Sequence, residues 1–254
     1  MEGISAVIIT KNEEQNIERC LRSIVETVDE IIIVDSGSTD RTEEIASIFK
    51  NVKFINHAWE GYSKSKNYGN SLAKFDWILS IDADEALSAE LCNSIVEAKK
   101  IEDIKFYRFA RLTNYCGKWI KHCHWYPDCQ IRLFNKKHTT WIGDSIHEKL
   151  HIDSVYEIIT LKGDCLHFTV QSIEDHLSKV NLYSSVWAKE AYKKGKRGNI
   201  FVLAVLPFTS FIRSYFIKKG FLDGYYGFII SVILGISRFQ RISKLINLEK
   251  TGKV

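Results

Sequence analysis

The first hundred residues alternate between short β-branched runs and stretches with helical spacing, and this alternation constrains the fold more than any other feature. Ile4–Thr10, Glu30–Asp35, Val52–Asn56 and Trp77–Ile81 read as buried strands. Between the first two, Glu13–Val28 carries Ile17, Cys20, Leu21, Ile24 and Val28 at helical spacing. Ser38 or Thr39 is placed to cap a helix through Phe49, and residues 62–73 and Ser88–Lys99 also read as helices. The pattern predicts an α/β fold, a mixed and mostly parallel sheet flanked by helices.

In such folds ligands bind beyond the carboxyl ends of the strands. Polar residues cluster at those ends here: Thr10-Lys11-Asn12-Glu13, Asp35-Ser36-Gly37-Ser38 and Asp82-Ala83-Asp84. The GxGxxG phosphate loop is absent, which argues against a dinucleotide oxidoreductase.

Residues 103–169 change character. Short, aromatic-rich pieces (Lys105–Leu112, Gln130–Asn135, Tyr156–Thr160) suggest the antiparallel part of a mixed sheet. Ser172-Ile173-Glu174-Asp175 resembles a capping box, and the helix after it would bury Ile173, Leu177, Val180, Ser184, Trp187 and Ala191. Two apolar stretches follow, Ile200–Ile217 and Phe221–Ile236, interrupted by Pro207, Arg213 and Asp223. The expected division is a nucleotide-binding domain over 1–169 and a helical, basic and apolar region over 170–254.

Charge supports that division. The chain carries a net +4, too little to argue for nucleic acid. Residues 170–254 hold fourteen Lys and Arg against five Asp and Glu, while residues 1–169 hold twenty-one against twenty-six. A basic, apolar end suits helices lying on an anionic membrane surface. The six cysteines form no CxxC pair, so reduced thiols are expected. Lys11, Glu13 and Glu14 interrupt the only early apolar run, Ala6–Ile9, so no secretory signal is expected.

The candidate chemistry is carried by few residues. Asp82 and Asp84, two positions apart after a buried strand, can approach one Mg²⁺ or Mn²⁺. Asp35 can accept from a ribose hydroxyl or a base N–H. Lys66, beside Lys64 and Asn67, can meet a diphosphate as a point charge. Glu148, in His147-Glu148, or Asp144 can take a proton from an attacking hydroxyl. Cys116, His122, Cys123, His124 and Cys129 lack the paired spacing of a zinc site.

Together, Ile8-Ile9-Thr10-Lys11-Asn12-Glu13-Glu14, Val34–Asp40 and Asp82-Ala83-Asp84-Glu85 resemble glycosyltransferase family 2. Trp125–Asp128 before Arg132–Phe134, the pair His147-Glu148, and Gly220–Gly224 resemble its lipopolysaccharide core β-glucosyltransferases. The resemblance implies a GT-A fold and inverting transfer of a hexose, glucose by family weight, from a UDP-sugar to a glycolipid acceptor. It implies that Thr10, Asn12, Glu13 and Asp35 line the nucleoside pocket, with Lys66 at the diphosphate. Asp82 would lie near ribose and sugar, Asp84 would hold the metal, and Glu148 would be the base, with Asp144 as alternative. The implied location is the cytoplasmic face of a bacterial inner membrane, held peripherally. Two rivals share the donor site: a transferase acting on a polyprenyl phosphate or capsule precursor, and a non-catalytic membrane-associated scaffold.

Overall fold

The computed structural model describes residues 3–101, 105–143 and 148–252. Its elements begin with β1 (Ile4–Thr10), α1 (Ile17–Ile24), β2 (Glu30–Asp35), α2 (Thr42–Ala46), β3 (Val52–Asn56), α3 (Tyr62–Leu72), β4 (Trp77–Ser80), β5 (Glu85–Leu87) and α4 (Ala89–Ala98). There follow β6 (Phe106–Tyr115), β7 (Lys118–Ile120), β8 (Asp128–Asn135), β9 (Thr140–Ile142), β10 (Lys149–His151) and β11 (Ile158–Val170). The chain closes with α5 (Ile173–Lys193), α6 (Ile200–Ile212) and α7 (Gly224–Thr251).

Two compact units form. One holds the residues up to Arg111 together with Asp128–Phe168, and the other holds Leu112–Pro127 and the residues from Thr169 on. The main sheet runs β3-β2-β1-β4-β8-β6-β11-β5, with β7 added on β6, and β9 pairs with β10 separately. β3, β2, β1 and β4 are mutually parallel. β4–β8, β6–β8 and β5–β11 are antiparallel. The mixed α/β sheet flanked by helices is the architecture expected from the alternation.

The core of the first unit explains why these strands read as continuous apolar runs. Ile4, Ala6, Ile8, Ile31, Ile33 and Leu79 face α1, whose Ile17, Cys20, Leu21 and Ile24 are all buried. Val7, Ile32, Val34 and Ile78 face the other way, against Tyr68 and Leu72 of α3. A strand covered on both faces needs apolar residues at both parities. Each buried Ile or Leu contributes roughly 1.5–3 kcal/mol.

The structure also departs from the sequence reading. The first helix is shorter than Glu13–Val28, because Asn12 takes a left-handed turn (φ 56°) and residues 13–16 are used in turns. Neither Ser38 nor Thr39 caps α2; its N-cap is Arg41, and the Ser38 hydroxyl is committed to Asp35. Glu85–Leu87 is a strand between Asp84 and the helix at Ala89 that the sequence pattern did not predict. β11 runs to Val170, far past Thr160, because Gly163 (φ 91°) lets the backbone pass Leu91 where a Cβ would clash at 2.3 Å.

The second unit is built on α5 and α7. Ser172 caps α5 through Oγ, which accepts from the Asp175 N–H at 3.0 Å, as the capping box implied. Its buried face is Ser184, Ala188 and Ala191, with Leu177 exposed, so the stripe is narrower than expected. Ala188 and Ala191 meet Leu245 of α7. α6 lies against α7 where Gly235 leaves room for the Pro207 carbonyl, which a Cβ would approach to 3.1 Å. The first apolar stretch is therefore a helix of thirteen residues, followed by a π turn over Arg213–Ile217.

Candidate active site

Lys66 is brought into the first unit by an otherwise polar helix. Three residues on, Gly69 sits on the sheet so closely that a Cβ would lie 2.5 Å from Val7 Cγ1. Residues three apart share a helix face, so this approach also drives Lys66 inward, to 3% exposure. Its Nζ lies 3.0 Å from Glu148 Oε1, 3.4 Å from Asp82 Oδ1 and 4.7 Å from the centre of the Trp141 ring.

Asp82 stands where β4 ends. Its other oxygen, Oδ2, accepts from Arg132 Nη2 at 2.8 Å. The same Arg132 nitrogen is 3.3 Å from Oε1 of Glu85, which is 1% exposed. Glu85 lies 3.5 Å from Arg111, and Arg111 donates to Asp128 at 2.5 Å. Charges alternate from Glu148 to Asp128, so no member is an isolated buried ion. Burial pushes the Asp82 carboxyl up, but Arg132 and Lys66 outweigh it and hold the group far below the usual carboxylate range. Burial likewise lowers Arg132, and Asp82 and Glu85 more than reverse it.

Asp84 takes a different partner. Its Oδ2 is 3.2 Å from His167 Nε2. The antiparallel pairing of β5 and β11 sets His167 opposite Glu85, and Phe168 N–H donates to the Asp84 carbonyl at 2.9 Å. Asp82 and Asp84 thus face separate partners, and both Asp82 oxygens are already held by cations. Among the described residues no three His, Cys, Asp or Glu side chains converge. The carboxylate of Asp84 is the kind of oxygen donor that suits Mg²⁺ or Mn²⁺, and the imidazole of His167 beside it is a nitrogen donor. His167 Nδ1 is buried with no partner among the described residues.

The other strand-end residues form one connected surface. Asp35 Oδ2 accepts from the N–H groups of Gly37 and Ser38 at 2.8 and 2.7 Å, a turn that needs the φ of +83° at Gly37. Asn12 tolerates its left-handed backbone and ties β1 to this turn. Its N–H donates to Ser38 Oγ at 2.8 Å and its Oδ1 accepts from Thr39 N–H at 2.8 Å. Glu13 N–H donates to Thr42 Oγ1, and its carboxylate accepts from Asn16. Thr10 Oγ1 is buried with no partner among the described residues.

A cavity of about 230 Å³ joins Lys66, Arg132, Trp141 and Glu148 with Gln130 and Lys149. It is smaller than drug-sized pockets of roughly 300–1,000 Å³, and its wall mixes charged side chains with Ile131, Trp141 and Leu150, a lining with both polar and apolar faces for a small ring. Arg132 Nη1 and Trp141 Nε1 are buried without partners among the described residues. Asp144 and His147 lie outside the described residues. Sequence reasoning missed Arg132, Glu85 and His167 as site residues. Arg132 had a signal in its charge inside the apolar strand Gln130–Asn135, and Glu85 one in its place in the Asp82-Ala83-Asp84-Glu85 motif; His167 had none, because β11 returns to β5 from eighty residues away.

Comparison with known proteins shows the family and the fold. The glycosyl transferase family 2 profile matches residues 5–151. An uncharacterized glycosyltransferase of Rickettsia typhi is 36% identical over 96% of this chain and 87% of its own length. The lipopolysaccharide core biosynthesis glycosyltransferase LpsC of Rhizobium meliloti is 28% identical over 95% of this chain and 91% of its own. The crystal structure of S. aureus TarS 1-349 in complex with UDP-GlcNAc superposes with a TM-score of 0.51 at 14% identity, covering 98% of this chain and 92% of that one, a likeness of fold. With a GT-A-type sheet and a match over more than half its length, the chain belongs to glycosyl transferase family 2 and is a glycosyltransferase.

Proposed function

We propose that the enzyme moves a hexose, glucose, from a UDP-sugar to a lipopolysaccharide core or related glycolipid acceptor with inversion at the anomeric carbon. The observation that carries this reading is Lys66, whose Nζ lies 3.0 Å from Glu148 and 3.4 Å from Asp82, with Lys66 and Glu148 on the wall of a cavity of about 230 Å³. A base, a cation and a hydroxyl acceptor converge there, which is what a single displacement requires.

Glu148 takes the proton of the acceptor hydroxyl as its oxygen attacks the anomeric carbon. The bond from that carbon to the diphosphate oxygen breaks, and the electron pair leaves with the diphosphate. Lys66 stands where that negative charge develops. Asp82, held by Arg132, orients ribose and sugar hydroxyls as an acceptor of hydrogen bonds. Thr10 and Asp35, with Asn12 and Glu13 bracing the turn, line the nucleoside pocket. Asp84 and His167 would hold Mg²⁺ or Mn²⁺, which neutralises diphosphate charge when bound. The homology to LpsC supports a glycolipid acceptor, and the enzyme works peripherally at the cytoplasmic face of a bacterial inner membrane.

The test is thermal shift with UDP-, GDP-, ADP- and CMP-sugars, each with and without Mn²⁺. A ligand at a hundred times its Kd stabilises the fold by about 2.7 kcal/mol. A Mn²⁺-dependent shift with one UDP-sugar, lost in Asp84→Ala and weakened in His167→Ala, is expected. Mn²⁺ binding followed by electron paramagnetic resonance should weaken in both variants without any turnover. Absence of a shift with every nucleotide sugar overturns the reading in favour of the scaffold.

A further inference from the structure

α6 contains Ile200-Phe201-Val202-Leu203-Ala204-Val205-Leu206-Pro207-Phe208, and none of its residues is buried. Phe201 is 72% exposed and Phe208 67%, and the turn that follows exposes Ile217 at 68%. Phe216, Phe221, Leu222 and Tyr225 extend the apolar surface to the start of α7. An apolar surface of this kind marks an interaction site rather than scattered exposure. Between residues 193 and 219 the chain has seven Lys and Arg and no Asp or Glu. The basic groups stand at both ends of α6: Lys193, Lys194, Lys196 and Arg197 before it, Arg213, Lys218 and Lys219 after it.

We infer that α6 and the turn after it lie in the plane of one anionic lipid leaflet, with Phe201, Phe208 and Ile217 entering the acyl boundary and the flanking cations on phosphate headgroups. The charge selects the occupant: an apolar face bracketed only by cations matches an anionic lipid surface. This deepens the reading above by fixing how an enzyme with a lipid-borne acceptor meets its membrane.

The turn between α6 and α7 shows why the pair does not cross. Its Lys218 carbonyl accepts from Cys123 N–H at 3.1 Å. Gly220 backs onto the Cys123 sulfur, which a Cβ would approach to 2.7 Å. Asp223, buried, accepts from His122 N–H at 2.8 Å and contacts His122 Nδ1 at 3.0 Å, and its carbonyl accepts from Lys118 Nζ at 2.7 Å. The turn is therefore stapled to the polar segment that follows β7. Crossing would drag that segment and its lysines into hydrocarbon, where irregular backbone lacks water to satisfy it. α6 and the π turn together make an eighteen-residue apolar stretch, Ile200–Ile217, long enough to cross by length alone, so it is the stapled turn that argues against crossing. The staple also accounts for Gly220–Gly224: Gly220 packs on Cys123, Asp223 holds His122, and Gly224 supplies a backbone φ of +64°.

The experiment is flotation of the full chain with phosphatidylcholine vesicles, alone or with about one-third phosphatidylglycerol. Binding is expected to the anionic vesicles, falling in about 1 M NaCl, where the Debye length is about 3 Å. Phe201→Ser with Phe208→Ser should weaken partition at least roughly tenfold, since both rings leave the acyl boundary. Both rings are mostly exposed, so the variant should keep its Tm and its UDP-sugar thermal shift. Lys218→Glu with Lys219→Glu is the second probe and should lose preference for anionic lipid. Hydrogen exchange should slow over residues 200–225 only with vesicles present. Flotation unchanged in the aromatic variant, equal binding to neutral vesicles, or resistance of the membrane-bound chain to alkaline carbonate overturns the proposal. So does light scattering that shows a dimer lost in the same variant, which would make a second copy the occupant. A vesicle-bound chain with no UDP-sugar shift would instead remove the donor reading and leave this one standing.

Discussion

Arg132→Met removes the cation that two carboxylates share while keeping most of the side-chain volume. Its Nη2 is 2.8 Å from Asp82 and 3.3 Å from Glu85. After the change Glu85, almost without solvent, keeps Arg111 at 3.5 Å and the Asp82 backbone N–H at 3.0 Å, and Asp82 keeps Lys66 at 3.4 Å. Breaking a buried pair from one side costs about 3–5 kcal/mol. For a chain of this size each kcal/mol moves Tm by about 2–4 °C, so a drop of roughly 6–20 °C is expected at pH 7. The pH dependence carries a sign. Asp82 titrates far below its unfolded value of about 3.9, so its contribution is complete above that value and is lost as pH falls through the folded one. The gap between native and variant should therefore be widest above about pH 5 and narrow below about pH 4. Urea denaturation of both proteins across this range is the assay. Arg132→Met with Glu85→Gln should recover part of the loss, because one uncompensated charge is gone. A deficit under about 1 kcal/mol at pH 7, or one that ignores pH, would refute the view that Arg132 neutralises this cluster.

Glu148→Gln should abolish transfer while preserving the UDP-sugar thermal shift, since the base acts on the acceptor; near-normal turnover would remove that role from Glu148. Gly69→Val should destabilise the first unit, because its branched side chain must enter the 2.5 Å gap to Val7, and overpacking costs about 1–3 kcal/mol or more; a Tm equal to native would contradict the close approach of α3. Burial lowers the pKa of His176, which sits against Tyr115 and Trp125. Below the unfolded value of about 6.5 the unfolded chain binds a proton that the folded chain resists, so stability should fall as pH drops from about 7 toward the folded value. His176→Gln should flatten that slope in thermal melts.

Much of the first unit could be read in advance because its signals are local. The β-branched runs of β1 to β4 and the stripe of Ile17, Cys20, Leu21 and Ile24 report burial directly, residue by residue. Boundaries failed where a side chain chose a different partner: Ser38 went to Asp35, three residues back, instead of a helix N-terminus, and Asn12 turned to hold Thr39, twenty-seven positions on. The short strand Glu85–Leu87 exists only because β11 returns to pair with it.

What the sequence by itself determined is the alternation, the polar strand ends, the family resemblance and the uneven charge, all properties of neighbours along the chain. Tertiary structure decided which of those polar residues meet. It put Glu148 on Lys66 across eighty-two positions, turned Asp82 toward Arg132, and set Asp84 on His167. It also stapled the turn after α6 to His122, which no hydropathy pattern encodes. The physical reason is common to all four. A buried charge or a crossing turn is satisfied by whichever partner the fold brings within about 3 Å, and that choice is made through space.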